Sequence, residues 1–489
     1  MLSPFEDHLT APRGRGRLAP YAATAGGAPC GDLIGIGVTV EGDRVADAGF
    51  DAGGCAAARA AGSAVVELVK GRPFLDAART TPQQIACELG GLSPERMHAA
   101  QLAADALHRA LGAAEPALPP DPNRTLIAMS GGVDSATAAQ LAMDSGHEAV
   151  AVTLELWSEP GVDGTKSCCS PQAVTHARAL AHRMGLPHVT LDVRRGFRAQ
   201  VVDDYIGELE DGRTPNPCVR CNGLVRFDAM LQLASRLGAA RLATGHYARI
   251  EHDEEGPLLR AGTDPRKDQA YMLARLTPDE LDRLWFPLGE LEKPQVRELA
   301  RAARLPVAER PESQDLCFLS GTSAEEFVTR HGRPARAGEI VDLDGNLLGM
   351  HDGQHNFTVG QRRGIGVQAP EPLYVVRKES DRVVVGPRAA LATTEVSVAG
   401  AMLYRDAREV DRVKLRYRSA PVGCRIAGDP PRGRHRALTI ELDEPALGVA
   451  PGQTACLMRA DSVIGFATIA PSSRRATTPT PERELLHAR

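Results

Sequence analysis

Residues 125–144 read TLIAMSGGVDSATAAQLAMD. The apolar run Thr125 to Met129 has the length and composition of a buried strand, and Ala136 to Asp144 has the Ala-rich composition of a helix. Between them lies a glycine-rich turn, Ser130-Gly131-Gly132-Val133-Asp134-Ser135. A backbone without Cβ atoms can approach a phosphate closely there, and the N–H groups of a helix N-terminus favour negative charge. Ser130 and Ser135 add hydroxyl donors, Asp134 is placed to hold Mg²⁺, and no Walker lysine is present. This pattern predicts an ATP site that cleaves between the α- and β-phosphates.

Working outward, strands at Ala149 to Leu156, His188 to Val193 and Arg241 to Thr244 alternate with helices at Pro171 to Met184 and Arg226 to Leu237. Such alternation predicts an α/β fold with a doubly wound, mostly parallel sheet over 124–276. Residues 277–337 read as helical. From 338 to 470 short strand-like runs such as Leu373 to Arg377 predict a β-rich, barrel-like domain, and 471–489 a polar tail. Upstream, the proline-rich AAEPALPPDPN (113–123) reads as a linker. Before it, 21–112 predicts a compact α+β unit, with strands at Leu33 to Val40 and Arg44 to Phe50 and helices at Cys55 to Lys70 and Pro94 to Leu111. Residues 1–20 form an extension.

A chain of 489 residues exceeds one ordinary core, consistent with several domains. No apolar run is long enough for a membrane helix and the N-terminus has no secretory pattern, so the chain is expected in the cytoplasm with no membrane partner. A net charge of −5 gives no general polyanion-binding surface and no DNA partner is expected, yet Gln361 to Ala420 holds twelve basic against seven acidic residues, a local +5. Ten cysteines are too sparse for a disulfide framework, and their short clusters suggest metal or thiol chemistry.

SGGVDS resembles the signature of the PP-loop ATP pyrophosphatases, which adenylate a carbonyl oxygen and include amide-forming ligases. Together with GRTPNPCVRCN (212–222), ATGHYAR (243–249), KDQAYML (267–273), ESQDLCF (312–318) and TVGQRRGIG (358–366), the sequence from about Arg124 to Ala470 resembles the bacterial tRNA-specific 2-thiouridylase family. That resemblance implies ATP-dependent adenylation of the C2 oxygen of a tRNA wobble uridine, then sulfur attack to give 2-thiouridine. It implies Cys221 as the catalytic thiol, Cys317 as its partner, and a cysteine desulfurase or sulfur-relay protein as donor. Leu154 and Gly245 match nucleotide-contacting positions. Lys267, Asp268 and Gln269 match a region that approaches tRNA, and Arg362 and Arg363 suit its backbone. Sulfur can travel as a persulfide on Cys221 resolved by Cys317, or on a [4Fe–4S] cluster held by Cys218, Cys221 and Cys317. Cys218 stands where the family often has Asp, and is either a cluster ligand or a spare thiol. No role follows for Cys168 and Cys169.

Pro29-Cys30-Gly31-Asp32, Gly53-Gly54-Cys55 and Met97-His98 resemble the NifU/IscU-type iron–sulfur scaffold family over about Tyr21 to Leu111. Cys30, Asp32, Cys55 and His98 are its implied metal or cluster ligands, but Ala99 stands where that family usually has a further cysteine. The domain is then either a ligand site or a docking platform for a desulfurase. The rival for the whole chain is a non-catalytic iron–sulfur or sulfur carrier with a lapsed PP-loop half, against which intact SGGVDS, Cys221 and Cys317 argue.

Overall fold

The computed structural model describes residues 2–27, 31–157, 170–311, 316–319, 321–379 and 381–471. Cys30, Cys168, Cys169 and residues 312–315 of the ESQDLCF motif lie outside them. The chain divides into two compact units, one of residues 1–206, 217–332 and 461–463, the other of 207–216, 333–460 and 464–489.

The first unit begins with α1 (Pro4–Thr10), closed by a capping box between Ser3 and Glu6. Strands β1 (Tyr21–Gly26), β2 (Leu33–Glu41) and β3 (Arg44–Gly53) form an antiparallel sheet in that order. The β2–β3 hairpin turns at Gly42, whose φ of +60° suits glycine. Helices α2 (Ala56–Val69), α3 (Phe74–Ala77), α4 (Pro82–Glu88) and α5 (Met97–Ala113) follow. Gly62 lets α2 lie directly on the Phe50 ring, where a Cβ would come within 2.3 Å.

Next come β4 (Asp121–Ala128), α6 (Val133–Asp144), β5 (Glu148–Glu155), α7 (Pro171–Arg183), β6 (His188–Asp192), α8 (Arg194–Phe197), α9 (Asp203–Glu210), α10 (Pro217–Cys221), α11 (Phe227–Arg236) and β7 (Ala239–Ala243). The hairpin β8 (Ala248–Asp253) and β9 (Gly256–Ala261), then α12 (Pro278–Leu281), β10 (Leu284–Trp285), α13 (Lys293–Ala302) and α14 (Ala324–His331) complete the series. Among the described residues the parallel sheet runs β10-β7-β4-β5-β6. The chain leaves β4 towards β5 on one side and has β7 on the other, so the loop after β4 opens at the topological switch point where α/β sheets bind ligands. β10 and α13 belong to this layer: Ala300, Leu305 and Ala308 share one core with Ile127, Met129, Val133 and Ala243. The expected boundary at 276 missed this because a two-residue strand carries no periodicity.

In the second unit β11 (Gly338–Val341), β12 (Leu347–His351), β13 (Tyr374–Glu379) and β14 (Arg382–Gly386) form a sheet ordered β12-β11-β14-β13. Strands β15 (Ala392–Leu403), β16 (Arg412–Lys414), β17 (Val422–Ile426), β18 (Gly433–Leu447), β19 (Thr454–Arg459) and β20 (Ser462–Ile469) run in the order β15-β18-β17-β16-β19-β20, and β20 returns to β15 to close a barrel. The β-rich region expected over 338–470 is therefore a small sheet followed by a barrel.

The N-terminal α+β part and the parallel sheet share α5. Most of this helix is buried, with Ala99, Ala100, Ala103, Ala104, Ala106, Leu107, Ala110 and Leu111 fully so, and its polar residues His98, Gln101, Asp105 and Arg109 lie along one stripe. One side packs on β1 and β2, another on β6. The two His108 ring nitrogens lie 2.9 Å from the Thr80 carbonyl and 2.7 Å from the His188 carbonyl, and the neutral ring donates to one of them; His188 bonds Thr153 (2.9 Å). Burial pushes the pKa of both rings well below the ordinary value. Arg178 pairs with Asp105 and Arg109 with Glu155, at 2.7 and 2.6 Å. The segment read as a linker is pinned, Ala117 to Gly42 and Leu118 to Arg236, and its last three residues open β4.

A Cβ on Gly112 would lie 1.9 Å from the Thr190 carbonyl oxygen, so Gly112→Ala must push α5 off β6. The expected loss is about 1–3 kcal/mol, the usual cost of overpacking. Thermal unfolding of the full chain checks it; an unchanged midpoint would mean that α5 does not seat against the sheet as described.

Candidate active site and scaffold site

The loop between β4 and α6 is held by its own hydroxyls. Ser135 Oγ receives bonds from the Ser130 N–H and Ser130 Oγ, both 3.2 Å, and donates to the Gly132 carbonyl at 3.1 Å. Gly131 has φ +74°, and Arg310 bonds its carbonyl at 3.0 Å. Gly132 is the N-cap of α6, so Val133, Asp134 and Ser135 form its first turn. Gly245, just after β7, sits against that turn: a Cβ there would lie 2.8 Å from Asp134 C and Ser135 N. Leu154 is half-buried near the C-terminal end of β5, beside the buried Glu155.

Asp134 is the meeting point of three segments. Lys293 Nζ donates to its two oxygens at 2.6 and 2.8 Å, and the Tyr247 hydroxyl donates to it at 2.8 Å. Sequence reasoning placed Mg²⁺ on this carboxylate and found no loop lysine; the structure brings one from α13, 159 residues away. Nothing local announces Lys293, which reads as an ordinary first-turn residue of an amphipathic helix. Between β7 and Tyr247, His246 bonds Thr244 (2.7 Å), and burial, with the Arg226 charge adding to it, pushes its pKa down to about 3.

Cys218 and Cys221 lie on α10, Cys221 buried and Cys218 half-buried, and Cys317 is half-buried in the turn that carries Phe318. Arg220 donates to the Gln200 carbonyl and pairs with Asp204 at 3.1 Å. Phe318 packs edge-on against Phe197 and Tyr205, with ring centroids 6.0 and 5.1 Å apart. Both cysteine segments are therefore anchored to the helical stretch 194–206. Among the described residues, Cys218, Cys221 and Cys317 do not form a group of ligand atoms within single-ion distance. Asn222 bonds the Met272 carbonyl at 3.0 Å, tying α10 to the 267–273 segment.

In that segment Asp268 accepts bonds from the Gly262 and Ala270 N–H groups, and Gln269 accepts one from the Tyr247 N–H. These two side chains brace the loop and the Tyr247 backbone, while Lys267 is half-buried. Arg362 and Arg363 are exposed in the second unit, on a turn closed by Gln361 bonds to Thr358 and Arg363.

The N-terminal part gathers Asp32, Cys55 and His98, with one ligand atom from each within 4.8 Å of the others. Asp32 accepts from the Cys55 N–H (2.7 Å), the Cys55 thiol (3.1 Å) and His98 Nε2 (2.8 Å). Gly54, φ +104°, makes room, since a Cβ would lie 2.1 Å from the Asp32 carboxylate. Cys55 is the N-cap of α2, its sulfur accepting from the Ala58 N–H at 3.4 Å. Ala99 is fully buried and supplies no donor. Carboxylate, thiolate and imidazole suit a divalent ion, and the same three offer only one thiolate to a cluster.

Burial alone would raise the Asp32 pKa, but the bonds from Cys55 and His98 outweigh it and hold it below the ordinary value. The bond to Asp32, helped by the Glu95 carbonyl and opposed by burial, raises that of His98 above 6.5. The charged pair thus contributes stability between the two folded pKa values; it is lost as pH rises through that of His98 or falls through that of Asp32. In EDTA-treated protein, histidine NMR should place the His98 titration above 6.5 and find it lowered in Asp32→Asn. A His98 that titrates alike in both proteins would contradict the pairing. At the other site, Gly245→Ala should weaken ATP binding tenfold or more by displacing the first turn of α6, measured by calorimetry; full affinity would show that this contact does not shape the site.

Residues 5–115 match the model of the NifU-like N terminal domain, 123–321 the tRNA methyl transferase HUP domain, 325–387 the tRNA methyl transferase PRC-barrel domain and 396–469 the aminomethyltransferase beta-barrel domain. The chain is 44% identical over 488 residues to the bifunctional protein NifU/MnmA of Rubrobacter xylanophilus, covering 95% of this chain and 97% of that protein. It is 41% identical over 360 residues to the tRNA-specific 2-thiouridylase MnmA of Geobacter metallireducens, covering 70% and 95%. Against the protein of that name from Methylobacterium radiotolerans it is 44% identical over 368 residues, covering 72% and 94%. Matched through its scaffold-like and its nucleotide-binding parts alike, the chain belongs to the family of bifunctional NifU/MnmA proteins.

Proposed function

We infer that the chain is an ATP-dependent tRNA-uridine 2-sulfurtransferase, the activity named for its relatives. The observation that carries this reading is the loop at the switch point of the parallel sheet, with its left-handed Gly131, the first turn of α6 packed on Gly245, and a carboxylate at Asp134. Ser130, Gly131, Gly132, Val133 and Ser135 would hold the phosphates, and Leu154 would lie against adenine. A single carboxylate beside bound phosphates suits Mg²⁺, which would be held by Asp134 and would offset phosphate charge. No helix among the described residues is long and apolar enough to cross a membrane.

In the reaction the uridine C2 oxygen attacks the α-phosphorus and pyrophosphate leaves. The persulfide sulfur on Cys221 then attacks C2, and AMP departs with the oxygen. Cys317 attacks the Cys221 sulfur, freeing the thiocarbonyl and leaving a Cys221–Cys317 disulfide, which a cellular thiol must reduce. Anchoring of both cysteine segments to 194–206 supports this pairing. The three thiolates Cys218, Cys221 and Cys317 are the alternative donor set, and a [4Fe–4S] cluster there would supply an open iron for sulfur. Lys267, Arg362 and Arg363 are the basic residues we assign to tRNA, with Asp268 and Gln269 supporting the loop. The N-terminal domain, with Cys30, Asp32, Cys55 and His98, would receive sulfur or metal from a cysteine desulfurase or relay protein.

Cys221→Ser should abolish 2-thiouridine formation, followed by mass spectrometry of tRNA nucleosides, while tRNA-stimulated pyrophosphate release persists. Cys30→Ser should leave thiolation intact when a sulfane-sulfur donor such as polysulfide loads Cys221 directly. Thiolation that survives Cys221→Ser would overturn the assignment, and pyrophosphate release indifferent to tRNA would overturn the substrate.

A further inference from the structure

The nucleotide loop lacks a cation of its own, yet an ammonium is stored against it. Lys293 is 8% exposed, and both of its short contacts to Asp134 go to the one carboxylate in the loop. Its backbone is fixed: the N–H bonds Asp264 at 3.1 Å, Glu292 and Gln295 cap the helix start, and Val296 packs with Tyr247, Leu288 and Ala138. The fixed stem leaves the charged end as the adjustable part, a compact ammonium on a four-carbon chain. Asp134 keeps 33% of its side chain exposed, so the pair stands at the mouth of the loop. Tyr247 holds Asp134 independently, so the carboxylate keeps a partner when the lysine moves.

We propose that Lys293 is the polyphosphate-binding cation of this site, parked on Asp134 when no nucleotide is bound and transferred to the β- and γ-phosphate oxygens of ATP, then to pyrophosphate. A buried ammonium needs a counter-charge at every stage, and a ligand carrying several negative charges outcompetes one carboxylate. The exchange lets a lysine from α13 do what a loop lysine does in other phosphate sites, and it frees the Asp134 carboxylate for a divalent cation only once phosphates have arrived. The proposal rests on the nucleotide-binding reading above.

The test uses the full chain, inorganic pyrophosphate and EDTA, with affinity from calorimetry and folding checked by thermal unfolding. Asp134→Asn releases Lys293 and should bind metal-free pyrophosphate several-fold more tightly than the unmodified protein. Lys293→Met should bind at least tenfold more weakly. The double variant carries no uncompensated charge, so it stays informative if Lys293→Met alone folds poorly; it should lose the gain shown by Asp134→Asn. A double variant that binds as tightly as Asp134→Asn would overturn the role of Lys293 and leave the nucleotide site standing. Absence of pyrophosphate and ATP binding by the unmodified protein would overturn that site and this proposal with it.

Discussion

The nucleotide site depends on backbone contact between two segments: the chain leaving β7 at Gly245 and the first turn of α6 at Asp134 and Ser135. With no Cβ at Gly245 the segments approach to a distance that no other residue permits. That approach places the following Tyr247 where its hydroxyl reaches Asp134, and Gln269 in turn holds the Tyr247 backbone. Through Asn222 and Met272 the same chain of bonds continues to α10 and the cysteines. Nucleotide loop and thiol segment are thus linked through a few short hydrogen bonds.

The fusion is a packed joint. A domain on a flexible linker raises the local concentration of what it carries, with an effect that varies with linker length. Here α5 serves two layers at once, and Gly112, His108, Asp105 and Arg109 make contacts that fix its position over β6. Arg109 grips Glu155, the neighbour of Leu154 at the mouth of the parallel sheet. The N-terminal part therefore packs α5 against β6 of the α/β layer, and its removal would strip His188, Arg178 and Glu155 of those partners.

What could be read from the sequence follows the range of the interaction. The phosphate loop was legible because strand, glycines and helix are contiguous, and the cysteine segments because each sits in a distinctive local run. Asp32, Cys55 and His98 were legible for the same reason, although they span 66 positions. Lys293 was not: its role lies in a contact made across 159 positions, and its own helix looks ordinary. β10 escaped because two residues carry no period, and α5 read as a helix of one domain because alanine is equally at home on either face. Asp268 and Gln269 were singled out as a polar cluster, but polarity does not say whether a side chain faces a ligand or its own backbone.

With the buried Ala99 next to His98, the group formed by Asp32, Cys55 and His98 holds a single thiol, and this sets which partner it favours. A cluster needs its charge balanced by thiolates, and each one lost leaves an iron with a harder, weaker donor. Asp32 and His98 also satisfy each other here, so a metal ion that binds them must break a 2.8 Å bond and displace a proton from the imidazole. Cys55 is committed as well: its N–H and its thiol both donate to Asp32, and its sulfur accepts from the Ala58 N–H.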